Sequence, residues 1–474
     1  MSQSPQHPPH PRGVSVVIPA CGAWSWTQRC LESLRVAWSA TGTPSEVLLV
    51  DNASPDDTLA RARELSSELP ILRVLPLPEN LGFAQACDLG LGAAQQHYTC
   101  FLNNDTLAPR QLLPLLREAF ERSPRAGLVA PVSNQVIGLQ KIDIEGSADD
   151  PERILSLLQR ADGCPLEEVH TLSGLCLLGE TQQLREMGGF APDYPIGNHE
   201  DEDLCLRMRH AGLRLIVRRD AYLFHAGERT FLELGLDYDE ILRRNAELHA
   251  RRWSEDPLFI AEQLLEQGEL EELARVVARI EPEIPAWRWG QRLLAIRAMR
   301  QEHFAKAQEH WRSFLQAHPT HTSGLASLVV ALLECDEMDE AHRVFDAALR
   351  DAYFDKPRFA RVLTAFARAA HRRGDMLQAR QHAELALESS PGFVPALSLL
   401  ILSLLATEQW EEVEAAFARH GRNCADPDIW TNVALARCLR GDRERGHTLM
   451  EQAARAAGPD SVAAQNLRQL GLAR

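Results

Sequence analysis

The chain has 474 residues, 45% hydrophobic and 24% charged, with a formal net charge of −16. A chain this long has room for two to four domains at roughly 100–200 residues each, and its acidic balance argues against nucleic acid as a partner and against docking on an anionic membrane. No run reaches the ~20 apolar residues of a membrane span, so no transmembrane segment is expected.

Residues 1–13 are rich in Pro and His and lack an apolar core. They read as a disordered tail and not as a signal peptide. Strand and helix signals then alternate. Val14 to Pro19 is a β-branched run ending in Pro, followed by a helix from about Thr27 to Trp38. Glu46 to Val50 is a second strand ending at Asp51, and Thr58 to Leu69 a helix. Leu72 to Leu75 is a third strand, Phe83 to Ala94 a helix, and Tyr98 to Leu102 a fourth strand ending at Asn103. This alternation predicts a mostly parallel sheet with helices on its faces, and ligands bind such sheets beyond the carboxyl ends of the strands. Asp51 and Asn103-Asn104-Asp105 lie at such ends. Val132 to Ala161 carries no readable pattern. Ser173 to Leu178 reads as a buried strand and Arg214 to Val217 as another.

From about Ser254 onward the strand signals stop and a helical repeat begins. Leu273, Ala307, Ala341, Ala379, Val413 and Gly446 share one register, with gaps of 34, 34, 38, 34 and 33 residues. Five positions before the register residue stand Gly268, Asp336, Gly374 and Gly441, which suit a helix–helix turn of positive φ. Pro319 and Pro391 close second helices, and Trp430 fills an aromatic position of the last unit. The period resembles that of tetratricopeptide repeats, about six units with Asp460 to Arg474 as a polar cap.

The ten cysteines include no Cys-x-x-Cys pair. Cys30, Cys87, Cys100, Cys176, Cys205 and Cys438 sit in apolar runs, where a free thiol acts as a small hydrophobe. Reduced thiols imply a cytoplasmic protein.

The densest chemistry lies in Asn198-His-Glu-Asp-Glu-Asp-Leu-Cys-Leu-Arg207, where Glu200, Asp201, Glu202 and Asp203 crowd the mouth of a predicted helix. A helix dipole favours some acid there. Four carboxylates exceed what capping needs and suggest acid–base or metal work. Asp203 and Arg207, four apart, also make an ordinary helix salt bridge.

Val16-Val-Ile-Pro19, Val50-Asp-Asn-Ala-Ser54, Asn80-Leu-Gly-Phe83, Leu102-Asn-Asn-Asp-Thr106, Gly188-Gly-Phe190 and the Glu200-Asp201 helix follow one another in that order. From about residue 14 to residue 250 this ordered set resembles family 2 glycosyltransferases. The resemblance implies an α/β GT-A fold with a Rossmann-like mixed sheet, a nucleotide-diphosphate-sugar donor and a divalent metal, Mn²⁺ or Mg²⁺. It places Asp201 as the general base, with Glu200 beside it and Asp203 as second candidate. It places Pro19, Asp51, Asn80, Gly82, Asp88, Asn103 and Asn104 around the donor. Asp51 would accept from the imide N–H of the nucleotide base, although an aspartate here also suits a turn. Asp105 and His225 fall to the metal, with Asn103 standing where relatives carry a first carboxylate. Asp88 also reads as a helix surface residue and His225 as a structural histidine. Trp24 and Trp26 replace the Tyr-Asn that usually follows the first strand, and Arg12, Arg29, Arg218 and Arg219 are candidates for the diphosphate.

These readings divide the chain into a tail (1–13), a glycosyltransferase domain (14–253) and a helical-repeat domain (254–474). The expected activity is inverting transfer of a sugar to a protein or peptide held by the repeats, as in the bacterial peptide and flagellin glycosyltransferases that the combination resembles. The alternatives are a cell-surface polysaccharide or lipid-linked glycan acceptor, with the repeats serving in a homodimer or in recruitment, and a non-catalytic scaffold.

Overall fold

The computed structural model describes residues 13–136, 138–144, 147–160, 165–194, 196–227, 237–351, 353, 355–421 and 424–469. The expected tail, apart from Gly13, lies outside them. By internal contacts the chain forms two compact units. One runs to Arg297 and includes Ser313–His321 and Arg350–Tyr353. The other takes Ala298–Arg312, Thr322–Leu349 and the chain from Phe354 on.

In the first unit the alternation holds: β1 (Val14–Ala20), α1 (Trp24–Thr41), β2 (Glu46–Asp51), α2 (Thr58–Glu68), β3 (Leu72–Pro76), α3 (Gly82–Ala93) and β4 (Tyr98–Leu102). Next come β5 (Thr106–Leu107), α4 (Leu112–Arg122), β6 (Ala126–Ser133), α5 (Pro151–Leu158), β7 (Leu166–Val169) and β8 (Cys176–Glu180). Then follow α6 (Thr181–Glu186), α7 (Glu200–His210), β9 (Arg214–His225) and α8 (Tyr238–Arg252). The described strands run in the order β3-β2-β1-β4-β8-β6-β9-β5, with β7 also on β9. Strands β1 to β4 pair in parallel, whereas β8 runs antiparallel to both β4 and β6, so the sheet is mixed.

Alternate side chains of the central strands feed two apolar layers, because successive residues of a strand point to opposite faces. Val16, Ile18, Val47 and Leu49 pack with Leu31 and Leu34 of α1 and Leu112 and Leu116 of α4. Val17, Leu48 and Val50 pack with Ala84 and Leu91 of α3 and Leu204 and Met208 of α7. Both faces being covered, the parallel strands read as unbroken apolar runs. Helix α3 lies so close to β1 that a Cβ on Gly90 would fall 2.2 Å from Val17 Cγ1.

After α8 every described element is a helix: α9 (Pro257–Gln267), α10 (Leu270–Val277), α11 (Pro285–Arg300), α12 (Phe304–Leu315), α13 (Thr322–Glu334), α14 (Met338–Asp351) and α15 (Lys356–Arg372). The remainder are α16 (Met376–Ser389), α17 (Val394–Ala406), α18 (Trp410–His420), α19 (Pro427–Arg440), α20 (Arg443–Ala457) and α21 (Val462–Gln469). The register residues Leu273, Ala307, Ala341, Ala379, Val413 and Gly446 fall on α10, α12, α14, α16, α18 and α20, and all are buried. The position five residues earlier has positive φ in all six, at Gly268, Glu302, Asp336, Gly374, Glu408 and Gly441. In the second unit, from α15 onward, each helix packs against the next. Helices α13, α15, α17, α19 and α21 also pack each against the next of that series.

No described helix is long and apolar enough to cross a membrane. Cys30, Cys87, Cys100, Cys176 and Cys205 are buried free thiols and Cys438 is half-buried. Burial pushes Cys30 and Cys205 up to about 12.

Candidate active site

The carboxyl ends of β1, β2 and β4 lie side by side, and the strand order reverses between β1 and β4, where an open α/β sheet leaves a crevice. Asp51 closes β2 and is 1% exposed, and its Oδ1 meets no protein partner. A buried carboxylate oxygen without a donor is costly, so this atom has an acceptor position open to a ligand N–H. Asn52, which the sequence offered only as a turn residue, is the hub of the loops around it. Its Nδ2 donates to Asn80 Oδ1 at 2.9 Å and to the Gly82 carbonyl at 3.1 Å, and its Oδ1 accepts from Leu81 N–H at 2.8 Å. Asn80 Oδ1 also accepts from Gly82 N–H at 2.9 Å. Gly82 sits at φ 84°, a conformation that leaves little room for a Cβ. These bonds fix the β3–α3 loop against the end of β2, and Pro19 is held by pairing with Val50.

Beyond β4 the chain turns at Asn103, Asn104 and Asp105. Asn104 donates to Thr27 Oγ1 at 2.9 Å and is 6% exposed, so it ties the turn to α1. Asn103 Oδ1 is buried with no protein partner. Asp105 is 4% exposed, and its Oδ1 lies 3.2 Å from His225 Nε2, brought there by the antiparallel pairing of β5 with β9. His225 Nδ1 stands 2.7 Å from the Gln135 carbonyl. A carbonyl only accepts, so Nδ1 carries a proton and Nε2 faces the carboxylate. Two such atoms that close need a cation between them, a proton or a metal. A histidine whose other nitrogen is fixed by a carbonyl is the usual form of a metal ligand. Among the described residues no group of three or more His, Cys, Asp or Glu could hold a metal. The pair fits a cation that takes its remaining oxygens from phosphate and water, as Mg²⁺ does at phosphate sites.

Helix α7 opens with the four carboxylates, and each has a different environment. Asp201 Oδ2 accepts from Gly174 N–H at 2.7 Å and its Oδ1 from Glu202 N–H at 2.9 Å. The residue after Gly174, Leu175, accepts from Asn103 N–H at 3.0 Å, so a short chain of bonds joins Asp201 to the β4 turn. Burial, and then the charge of Glu202, raise Asp201 above the usual carboxylate range. Glu200 is 5% exposed with an unpartnered Oε2, and burial pushes it well up. Asp203 is fully buried. Its Oδ2 meets Arg207 Nε at 2.8 Å, and its Oδ1 meets Arg252 Nε at 2.7 Å and Trp253 Nε1 at 3.0 Å. With both oxygens engaged, Asp203 clamps α7 to α8.

Two other groups of candidates turn inward. Asp88 accepts from Phe190 N–H at 2.8 Å and braces the Gly188-Gly189 turn, and burial raises it to about 6. Arg218 is paired with Asp220 and Glu118, and Arg219 with Glu167, both nearly buried. Of the remaining arginines named for the diphosphate, Arg29 is exposed, with its guanidinium 4.4 Å from the Trp26 ring centre, and Arg12 lies outside the described residues. Trp26 in turn stacks on Phe224, next to His225, at 6.3 Å.

Residues 15–158 match the family model described as Glycosyl transferase family 2. The match covers β1 to α5 and stops before α7 and His225. No curated protein matches the sequence. Among solved structures the chain is similar to GalNAc-T7 with UDP, GalNAc and Mn²⁺, at 16% identity and TM-score 0.37 over 45% of this chain and 43% of that one. The chain thus spans under half the length of that protein. It is also similar to S. aureus TarS 1–349, at 16% identity and TM-score 0.36 over 80% and 92% of the two chains. A third is the mannosyltransferase PcManGT of Pyrobaculum calidifontis with GDP-Man and Mn²⁺, at 17% identity and TM-score 0.35 over 82% and 87%.

Proposed function

We propose that this chain is an inverting glycosyltransferase that moves a sugar from a nucleotide-diphosphate donor to an acceptor hydroxyl or amide. The observation that carries the reading is the set of polar atoms gathered at the strand ends of the family 2 domain: Asp51 Oδ1 and Asn103 Oδ1, which meet no donor among the described residues, and the close pair of Asp105 and His225. In this reading Asp51 binds the nucleobase and Asn52, Asn80 and Gly82 hold the loop that frames it. Asp105 and His225 would hold a divalent cation, Mn²⁺ or Mg²⁺, which would supply Lewis-acid stabilisation for the departing diphosphate.

Asp201 is the base. Its two backbone hydrogen bonds hold the carboxylate in place, and it removes the acceptor proton as the anomeric carbon is attacked from the face opposite the diphosphate. Burial pushes Glu200, beside it, well above the usual carboxylate range. Asp203 is a clamp. Residues 14–253 perform the transfer in this reading. Residues 254–474 are a tetratricopeptide-like array that presents a peptide or protein acceptor, a reading supported by the positive φ at one register position in six successive helix pairs.

The test is donor hydrolysis. Purified protein is mixed with UDP-, dTDP- and GDP-sugars, with Mn²⁺ or with chelator, and free nucleotide is measured. Metal-dependent release from one donor, reduced about 10²–10⁴-fold in Asp201→Asn, is the expected result. Absence of release from every donor, with no thermal shift on adding nucleotide, would instead favour a scaffold.

A further inference from the structure

Within α7 the charges are matched with one exception. Asp203 is offset by Arg207 and Arg252. Burial pushes Glu200 well above the usual carboxylate range. Glu202 is half exposed, and its backbone N–H donates to Asp201 Oδ1, so its carboxylate is a near, like-charged neighbour of Asp201. What faces Glu202 is His199, whose Nδ1 lies 2.8 Å from Glu202 Oε2.

His199 occupies a costly place for a histidine. It precedes the first residue of α7, where Ser, Thr, Asp or Asn would accept from the helix N–H groups, yet its side chain makes no such bond and its backbone sits at φ 69°. An outlier of this kind calls for a reason outside local stability. The ring is braced from a second element. His199 stacks on His249 of α8 with ring centres 5.5 Å apart and 24° between planes, and His249 Nδ1 meets the Tyr194 hydroxyl at 2.8 Å.

We propose that His199 is a positioning residue for the base: paired with Glu202, it cancels the negative charge facing Asp201 and so sets how readily Asp201 gives up its proton. The inference rests on the assignment of Asp201 as base. The groups around the pair are Asp201 and Glu200 on α7, His249 and Arg252 on α8, Tyr194 before the helix, and His170 after β7. Burial holds His249 below the ordinary histidine range and pushes His170 down to about 3. Glu202 raises His199 above the ordinary histidine value, which favours the imidazolium beside it.

The test is the acid limb of the pH profile of donor hydrolysis in His199→Gln, which keeps a hydrogen-bond donor and removes the charge. Glu202 then stands uncompensated beside Asp201, and the limb is expected to move up by roughly one pH unit. Adding Glu202→Gln to the same chain should bring it back. A limb that stays in place in His199→Gln overturns the proposal, and so does a shift that Glu202→Gln fails to reverse, since that would be a packing effect. A histidine NMR titration of the whole protein needs no turnover. His199 should titrate above the ordinary value and fall in Glu202→Gln, and an ordinary value unmoved by that change overturns the pairing. Full activity in Asp201→Asn would instead remove the base assignment while leaving the histidine titration readable.

Discussion

Two sets of buried acceptor atoms lie a few residues apart in this domain, and they are treated in opposite ways. Both oxygens of Asp203, one oxygen of half-buried Asp88 and the oxygen of Asn52 are engaged by guanidinium, indole or backbone N–H donors of the protein. Asp51 Oδ1, Asn103 Oδ1 and Glu200 Oε2 are buried and meet none. The first set is scaffold, because a filled acceptor holds two elements together and offers nothing to a ligand. The second set is receptive, because its missing donors have to come from elsewhere or from a proton. Residue type alone does not separate them, since aspartate and asparagine occur in both.

The largest expected effect that would sharpen this contrast is on stability. Asp203→Asn leaves Arg207 and Arg252 beside a neutral amide, and breaking a buried ion pair costs roughly 3–5 kcal/mol. Urea unfolding should show a loss of that order. A loss below ~1 kcal/mol would move Asp203 out of the scaffold set. Asp51→Asn should do the reverse, leaving urea stability nearly unchanged and weakening nucleotide binding about tenfold, about 1.4 kcal/mol, as read by calorimetric titration. Unfolding at low denaturant with unaltered nucleotide affinity would break the comparison at that residue.

The smallest effect is on pH dependence. Asp88 is raised to about 6 from an ordinary 3.8 by burial, so the folded state holds its proton more tightly than the unfolded state does. Its contribution therefore favours folding below about 4, weakens as pH rises toward about 6 and is unfavourable above that. Asp88→Asn should narrow the stability gap between pH 4 and pH 8, measured by urea unfolding at both values. An unchanged gap would mean that the charge of Arg207 already offsets the burial.

Strands β1, β2 and β4 were legible because burial on both faces makes each a largely apolar run between polar turns. Strand β7 was not, since it reads Leu-Glu-Glu-Val and both glutamates are buried. Glu167 is matched by Arg219, and Glu168 by Arg214 and His318, partners 46 to 150 residues away that no local pattern reveals. Asn52 escaped for the same reason, its partners lying 28 to 30 residues on. In the repeats Gly268, Gly374 and Gly441 announced their positive φ, whereas Glu302 and Glu408 hold the same conformation with a residue that gives no sign of it. Among the site residues, spacing and motif order named Asp105 and His225, which the pairing of β5 with β9 brings within 3.2 Å of each other. They could not tell Asp88 and Asn104, turned inward, from Asp51, left open.

The four residues before α7 have φ angles of 72°, 150°, 77° and 69° at Ile196, Gly197, Asn198 and His199, and Asn245 of α8 holds the loop by donating to the carbonyls of Gly197 and Asn198. Left-handed geometry costs a side-chain-bearing residue on the order of 1 kcal/mol, more for a β-branched one. Selection for abundance would therefore drift Ile196 and His199 toward glycine or asparagine, while selection for turnover would hold them. The loop is a place where a thermostabilised descendant of this chain would come at the expense of its chemistry, and where a sequence refined only for yield would lose it first.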